Sequence, residues 1–379
     1  MRIALVVPGG VDRSGEYRVI PALVALIARL ARQNEVHVYA LSQEPQESQW
    51  CLEGATIHNI GLRRSRQRAI RAIWRAHRQS RFDLVQAIWS GSCGIVAVVA
   101  ARLLGIPSAV HVAGGELVAL PEISYGGRLT WKGRIREALV LRAADAITAA
   151  SAPILASLSE LGFAAQRLAL GVDLKSWPPR RPVRRSDAGV ARLIHVGSLN
   201  RVKDQTTLLG ALARLAADGS NFEMNVVGED TLGGEIQSLS AQLALSDRVR
   251  FHGFLTQRQM RPLLEAADLL VMSSRHEAGP LVTLEAASVG VPTVGTSVGH
   301  IAEWAPLAAT AVPVGDCAAL AAAISDLLND EDRRLRIASE AFERSVSEDA
   351  DDTARRFAAL HARLTAAEST TGDQGSHTR

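Results

Sequence analysis

The chain has 379 residues, is 47% hydrophobic, 21% charged and 4% aromatic, holds 30 Gly and 14 Pro, and carries a formal net charge of +3. That balance excludes a disordered or collagen-like chain, supplies apolar material for two cores, and does not by itself point to nucleic acid. Lys132, Lys175 and Lys203 are the only lysines, so 39 of the 42 basic residues are Arg and each Lys merits separate inspection. Cys51, Cys93 and Cys317 are far apart and show no CxxC spacing. They suit a reducing compartment and offer neither a disulfide framework nor a zinc site. The apolar run 3–7 is too short for a signal-peptide core, and no run approaches the ~20 residues of a spanning helix. The expectation is a cytoplasmic protein.

In chain order, short apolar runs alternate with helical stretches. Residues 3–7 read as a buried strand and 19–32 as an amphipathic helix. Strands follow at 36–41, 56–60, 84–88, 109–112, 146–149 and 168–170, with helices near 66–79 and 93–104. The segment 177–185 reads WPPRRPVRR, and its prolines break the rhythm. A second series has strands at 193–196, 224–227, 249–251, 269–272, 293–295 and 311–314. Helices at 317–328, 333–346 and 353–367 close the chain. Alternation of this kind implies α/β architecture with parallel sheets, here two Rossmann-like doubly wound domains facing each other across a ligand cleft. The expected division is 1–172, a linker at 173–190, 191–345, a C-terminal helix at 346–367 that packs back on the first domain, and a disordered tail at 368–379.

Three segments carry candidate chemistry. Gly9-Gly10 follows the first strand, where glycines let backbone amides approach a ligand; the GxGxxG fingerprint of dinucleotide enzymes is absent there. The segment 191–209 runs strand, glycine turn, polar loop, Lys203, helix, a pattern that fits either an anion site or a surface lysine. The segment 269–290 reads LLVMSSRHEAGPLVTLEAASVG. It ends a strand in Ser273-Ser274, places Glu277 in a loop, opens a helix at Gly279-Pro280 and sets Glu285 in an apolar stretch, where an unpaired carboxylate is costly.

Glu277 and Glu285 form an E-x7-E pair, and with it the chain resembles the family-four retaining glycosyltransferases of the GT-B fold. The resemblance is collinear over nearly the whole chain. It takes in Gly9-Gly10, Phe82 to Ala87, Ala144 to Ile147 with Ser151, Gly171-Val172-Asp173, Val196-Gly197 to Lys203, and Arg248 to Gly253 before Ala267-Asp268. It implies a nucleotide-sugar donor as co-substrate, no cofactor and no metal. Lys203 would neutralise the donor diphosphate, Glu285 would hold the ribose, and Glu277 would contact the donor sugar or adjacent catalytic groups. Amides around Gly279, Pro280, Leu281 and Val282 would cradle phosphate or sugar, although Pro280 itself donates nothing. Gly10 would line the donor site and Gly9 the acceptor side. His111, matching a strand-end histidine, would stand with Lys203 and Glu277 in the catalytic set. Glu116 and Tyr125, in the long loop 114–127, are acceptor-side candidates.

The departures are specific. Ser198 occupies the place of the family's "GRL" arginine, with Arg201 near enough in the loop to substitute. Asp204 replaces the glycine after the lysine, and His300 stands where "VGG" is usual. Transfer of a sugar to an acceptor hydroxyl is therefore the leading reading, in polysaccharide, glycolipid or lipid-linked oligosaccharide synthesis. A GT-B sugar-nucleotide epimerase and a non-catalytic sugar- or nucleotide-binding subunit stand as alternatives.

From Arg63 to Arg81 the sequence holds eight Arg and no acid, with Ile70, Ile73 and Trp74 at helical spacing. This basic amphipathic helix fits a peripheral site on an anionic membrane, or an ordinary surface helix that packs its apolar stripe on the sheet. No aromatic platform accompanies the cations, which argues against nucleic acid.

Overall fold

The structure, a computed structural model, describes residues 1–185 and 189–373. It divides into two compact units, Met1–Leu170 with the chain from Ala350 onward, and Gly171–Asp349.

The first unit runs β1 (Arg2–Val7), α1 (Pro21–Leu30), β2 (Glu35–Ala40), β3 (Ser48–Leu52), β4 (Ala55–Asn59), α2 (Ser65–Gln79), β5 (Leu84–Ile88), α3 (Ile95–Leu104), β6 (Ser108–Val112), α4 (Trp131–Ala143), β7 (Ala146–Ala149), α5 (Ala152–Glu160) and β8 (Gln166–Arg167). Its sheet has the order β3-β4-β2-β1-β5-β6-β7-β8, parallel except for the edge pair β3–β4. Strand β3 was not expected from sequence: SQWCL shows no continuous apolar run. The final strand lies at Gln166–Arg167 rather than 168–170.

The second unit runs β9 (Ala191–Val196), α6 (Gln205–Ala217), β10 (Phe222–Val227), α7 (Glu235–Gln242), β11 (Val249–Phe251), α8 (Gln257–Glu265), β12 (Leu269–Met272), α9 (Leu281–Ser288), β13 (Thr293–Thr296), α10 (Gly299–Trp304), β14 (Thr310–Val312), α11 (Cys317–Asn329) and α12 (Glu331–Ser347). Its sheet is wholly parallel, in the order β11-β10-β9-β12-β13-β14. Consecutive strand residues serve opposite faces. Leu193 packs with Leu208, Leu212 and Phe222 on one side, and Ile194 packs with Leu270, Leu284 and Trp304 on the other. Each such side chain contributes roughly 1.5–3 kcal/mol by leaving water.

Two expectations change here. The Pro/Arg run is not a bare linker, because Trp177 is fully buried in the second unit's core. Arg180 N donates to Ser288 O at 2.9 Å, so prolines that bar regular structure still leave the segment docked. The C-terminal helix α13 (Ala350–Asp373) is also longer than expected, reaching into the segment read as a tail; residues 374–379 lie outside the described residues. Helix α13 belongs to the first unit. Arg29 Nε meets Asp351 Oδ1 at 2.6 Å, and Thr353 Oγ1 donates to Ala169 O at 2.9 Å.

On the first unit, α3 packs between α2 and α4. Helix α2 buries only Ala69 and Ile73, leaving Trp74 exposed. Helix α4 leaves Trp131, Ile135 and Leu139 on successive turns 66%, 50% and 60% exposed, and α3 adds Val99 and Leu103. Along these three helices the only acid, Glu137, is buried.

Candidate active site

In a doubly wound sheet, the loops that leave neighbouring strands in opposite directions open a crevice at the strand ends. In the second unit that switch point lies between β9 and β12, and the loops following them carry Lys203 and Glu277. The β9 loop is shaped by Asn200, whose Oδ1 accepts from Val202 N and Lys203 N, both at 3.0 Å. The lysine stem lies over Gly197, where a Cβ would come within 3.0 Å of Lys203 Cε. The two loops are tied together: Arg275 N donates to Val202 O at 2.7 Å and Ser273 Oγ to Lys203 O at 2.8 Å. Lys203 Nζ then reaches Glu277 Oε1 at 2.5 Å, with Ser274 Oγ donating to the same oxygen at 2.7 Å. Both side chains keep part of their surface in solvent, 23% for Lys203 and 13% for Glu277. A cation and a carboxylate are thus held on tied loops, open to a ligand that can compete for either.

Glu285 sits on α9, one turn beyond the loop. Gln257 Nε2 donates to its Oε1 at 2.6 Å. Burial pushes the carboxyl up to about 7, with the Gln257 hydrogen bond and Trp177 favouring the ionised form. Pro280 precedes α9 without a side-chain cap, so no capping side chain covers the amides of Leu281 and Val282. Close packing sets the glycines here: a Cβ at Gly299, whose φ is +49°, would meet Pro280 Cδ at 2.8 Å and Glu277 Cβ at 3.1 Å.

A buried supporting layer was missed from sequence. His195 hydrogen-bonds Val271 O through Nδ1 at 2.9 Å and meets Gln205 Nε2 through Nε2 at 3.2 Å. Gln205 Nε2 also donates to Ser198 O at 3.1 Å. Burial holds His195 down at about 4, so the neutral ring links two strands and fixes the start of the lysine loop. A His two residues before the Gly197 turn was the available signal.

Other expected residues fall elsewhere. Arg201 does not turn toward Lys203. It forms a bidentate pair with Glu235, both contacts 2.7 Å, on the surface. Arg275 is the arginine bound to the lysine loop, with Nε 3.1 Å from Asp204 Oδ2. Ser198 keeps a partly exposed position in that loop.

In the first unit, the amides of Gly10 and Val11 are taken by Gln43 Oε1 at 2.6 and 3.1 Å, so the glycine loop is closed on its own neighbour. Gly9 adjoins the same Gln43. His111 is completely buried. Its Nδ1 meets Thr148 Oγ1 at 2.8 Å, its ring lies edge-on to Phe357 of α13, and burial drives it down to about 3. The strand-end position suggested access, but strand alternation turns the side chain into the core. Glu116 acts as a latch, its carboxylate accepting from Ser90 N at 3.0 Å and Gly114 N at 2.6 Å, and burial raises it. Ser90 Oγ donates to Glu137, whose carboxyl burial pushes up to about 7. Tyr125 packs its ring against Gly115. Trp89, directly after β5 and before Ser90, has φ +72° and ψ 123°, a backbone position costly for a non-glycine residue.

Among the described residues, no group of three or more His, Cys, Asp or Glu could hold a metal ion. The geometry brings a partly exposed cation and carboxylate together on tied loops, with the buried Glu285 on the helix that follows.

The family profile "Glycosyl transferases group 1" matches residues 180–344, and "Glycosyl transferase 4-like domain" matches 19–171. The chain belongs to the family-four glycosyltransferases of the GT-B fold. It is similar to the glycogen synthase of Mycobacterium tuberculosis, 30% identical over 228 residues, an alignment spanning 59% of this chain and 55% of that protein. It is also similar to the D-inositol 3-phosphate glycosyltransferase of Pseudarthrobacter chlorophenolicus, 26% identical over 324 residues, spanning 78% of this chain and 76% of that one. Among solved structures, sucrose-phosphate synthase from Thermosynechococcus elongatus shares the fold with TM-score 0.81 at 19% identity, covering 97% and 100% of the two chains. Anabaena HepE, solved in complex with UDP-glucose, shares it with TM-score 0.74 at 19% identity, covering 96% and 100%.

Proposed function

We propose that this chain transfers a sugar from a nucleotide-sugar donor to an acceptor hydroxyl with retention of the donor's anomeric configuration. The observation that carries the reading is the Lys203–Glu277 pair at the β9/β12 switch point, beside the uncapped start of α9 and the buried Glu285. An incoming diphosphate competes with Glu277 for the lysine ammonium, and Glu277 is released to accept from sugar hydroxyls. As the bond between the anomeric carbon and the phosphate oxygen breaks, negative charge grows on the diphosphate. Lys203 and the amides of Leu281 and Val282 stabilise it. The acceptor oxygen bonds to the same face of the anomeric carbon, and its proton passes to the departing diphosphate oxygen. Glu285 binds the ribose hydroxyls. Metal independence belongs to this reading, since ammonium and helix amides supply the positive field.

The relatives named above are a synthase and a transferase, which favours transfer over epimerisation and over a non-catalytic role. The test is nucleotide release from a panel of UDP-, GDP- and ADP-sugars, with and without sugar acceptors. Release that rises with an acceptor and is retained in EDTA supports the proposal. Epimer formation without transfer, or binding without turnover, contradicts it.

A finer reading concerns the surface of α2, α3 and α4. Their exposed Trp74, Val99, Leu103, Trp131, Ile135 and Leu139, among cations of which Arg68 is paired with Glu47, fit an anionic membrane, each near-surface cation contributing ~1 kcal/mol. No helix among the described residues is long and apolar enough to cross a membrane. An acceptor on a lipid carrier, and a cytoplasmic enzyme docked peripherally, follow from this reading.

A further inference from the structure

His300 is the one departure from the family pattern that the assignments above leave unused, and its surroundings are unusual for a buried polar side chain. The residue is 1% exposed. Its ring stacks on Trp304, with centroids 5.8 Å apart. Its Nδ1 is buried without a hydrogen-bond partner, and the nearest carboxylate oxygen, Glu303 Oε2, lies 3.8 Å away. The ring's other edge faces the donor loop: a Cβ at Gly279 would stand 2.9 Å from His300 Nε2. No hydrogen bond to Nε2 occurs among the described residues. Glycine at 279 is therefore what leaves room for the imidazole, and the loop it faces carries Glu277 and, through that carboxylate, Lys203.

The unpartnered Nδ1 carries a cost of roughly 1–3 kcal/mol, so the imidazole is kept against that cost, and Nε2 is its remaining hydrogen-bonding atom, turned to the donor loop. We propose that His300 is a donor-contact residue whose Nε2 hydrogen-bonds a hydroxyl of the donor sugar. A hydroxyl fits better than a phosphate oxygen. It satisfies the ring nitrogen in either tautomer, donating to it when the proton sits on Nδ1 toward Glu303 and accepting from it otherwise, whereas a phosphate oxygen only accepts. Trp304 and Gly279 hold the ring in place, so the contact discriminates between sugars by the position of one hydroxyl.

This inference rests on the donor site proposed above, and the experiment separates the two. Calorimetry is run with UDP-glucose, GDP-mannose and ADP-glucose, each against its own nucleoside diphosphate, using the pair that the wild-type protein binds most tightly. His300→Phe keeps a stacked ring but no hydrogen-bonding atom. It should lose about tenfold or more in affinity for the sugar nucleotide while leaving the nucleoside diphosphate within about twofold. His300→Gln, whose amide both donates and accepts, should recover most of the loss. Where the Phe variant does not melt cooperatively, the Leu and Gln variants, close in volume, supply the same comparison. Unchanged sugar-nucleotide affinity in the Phe or Leu variant overturns the inference, as does an equal loss for both ligands. Wild-type protein that binds none of the six ligands, or binds them as Lys203→Ala does, overturns the donor site itself and this inference with it.

Discussion

The two units share one architecture and differ in where they spend their polar groups. Each has a switch point, β1/β5 in the first and β9/β12 in the second. In the first unit, the polar groups near that point are consumed internally. Gln43 closes the amides after β1, Glu116 and Glu137 pin Ser90, His111 is buried beneath α13, and His361 of that helix is buried against Gln86. In the second unit, Lys203 and Glu277 remain partly exposed, and Glu285 and His300 lie behind them. A switch point makes a crevice, but only polar groups left available by their own backbone make it a site.

The comparison can be broken by mutation, and the largest effect belongs to the second unit. Lys203→Ala should lower donor turnover about a hundredfold or more, because the growing diphosphate charge loses its nearest cation, and steady-state kinetics read this directly.

Glu285→Gln should have opposite effects on turnover and stability. Donor use falls about tenfold. The carboxyl is raised to about 7 in the folded chain, so the folded state binds the extra proton between its unfolded value and 7. The wild type therefore pays a burial penalty above pH 7 that fades as pH falls. The Gln variant should be more stable by about 2–3 kcal/mol at pH 8 and nearly equal at pH 5, measured by denaturant unfolding.

On the first unit, replacing Trp131, Ile135 and Leu139 together by Ser should cut flotation with anionic vesicles about tenfold while leaving turnover of a soluble donor unchanged. His111→Leu should leave donor affinity within about twofold, since the ring is sealed in the core. Its signature is in stability. The folded ring titrates at about 3, so the wild type loses stability as pH falls from ~6.5 toward 3, and the Leu variant should lose less over that window. A tenfold loss of donor affinity in this variant would return His111 to the site. The smallest effect is expected from Arg201→Gln, which breaks an exposed pair with Glu235 and should change melting and turnover only slightly.

Much of this was legible in the sequence, and what was not has a common cause. The β/α alternation is a local pattern that the two parallel sheets bear out, and the lysine after β9 and the Glu277/Glu285 pair are local patterns too. Arg201 is near enough in the loop to stand in for the missing arginine, but its partner Glu235 lies 34 residues away. Gly10 was given a free amide because Gln43 is 33 residues off. His111 was judged by its place on the strand, while the helix that covers it arrives at Phe357. Trp177 was discounted among prolines and arginines although it fills a core. In each case a partner distant in the chain decided the side chain's role, and no spacing rule announces such a partner.

The central claim, that the donor binds at the β9/β12 switch point of the second unit, is tested most directly by amide hydrogen exchange with and without saturating nucleoside diphosphate. The account predicts added protection at residues 197–205 and 273–285, strongest at Leu281 and Val282, and none at 8–11 or 89–94. Protection confined to the first unit, with binding confirmed by calorimetry, would contradict it.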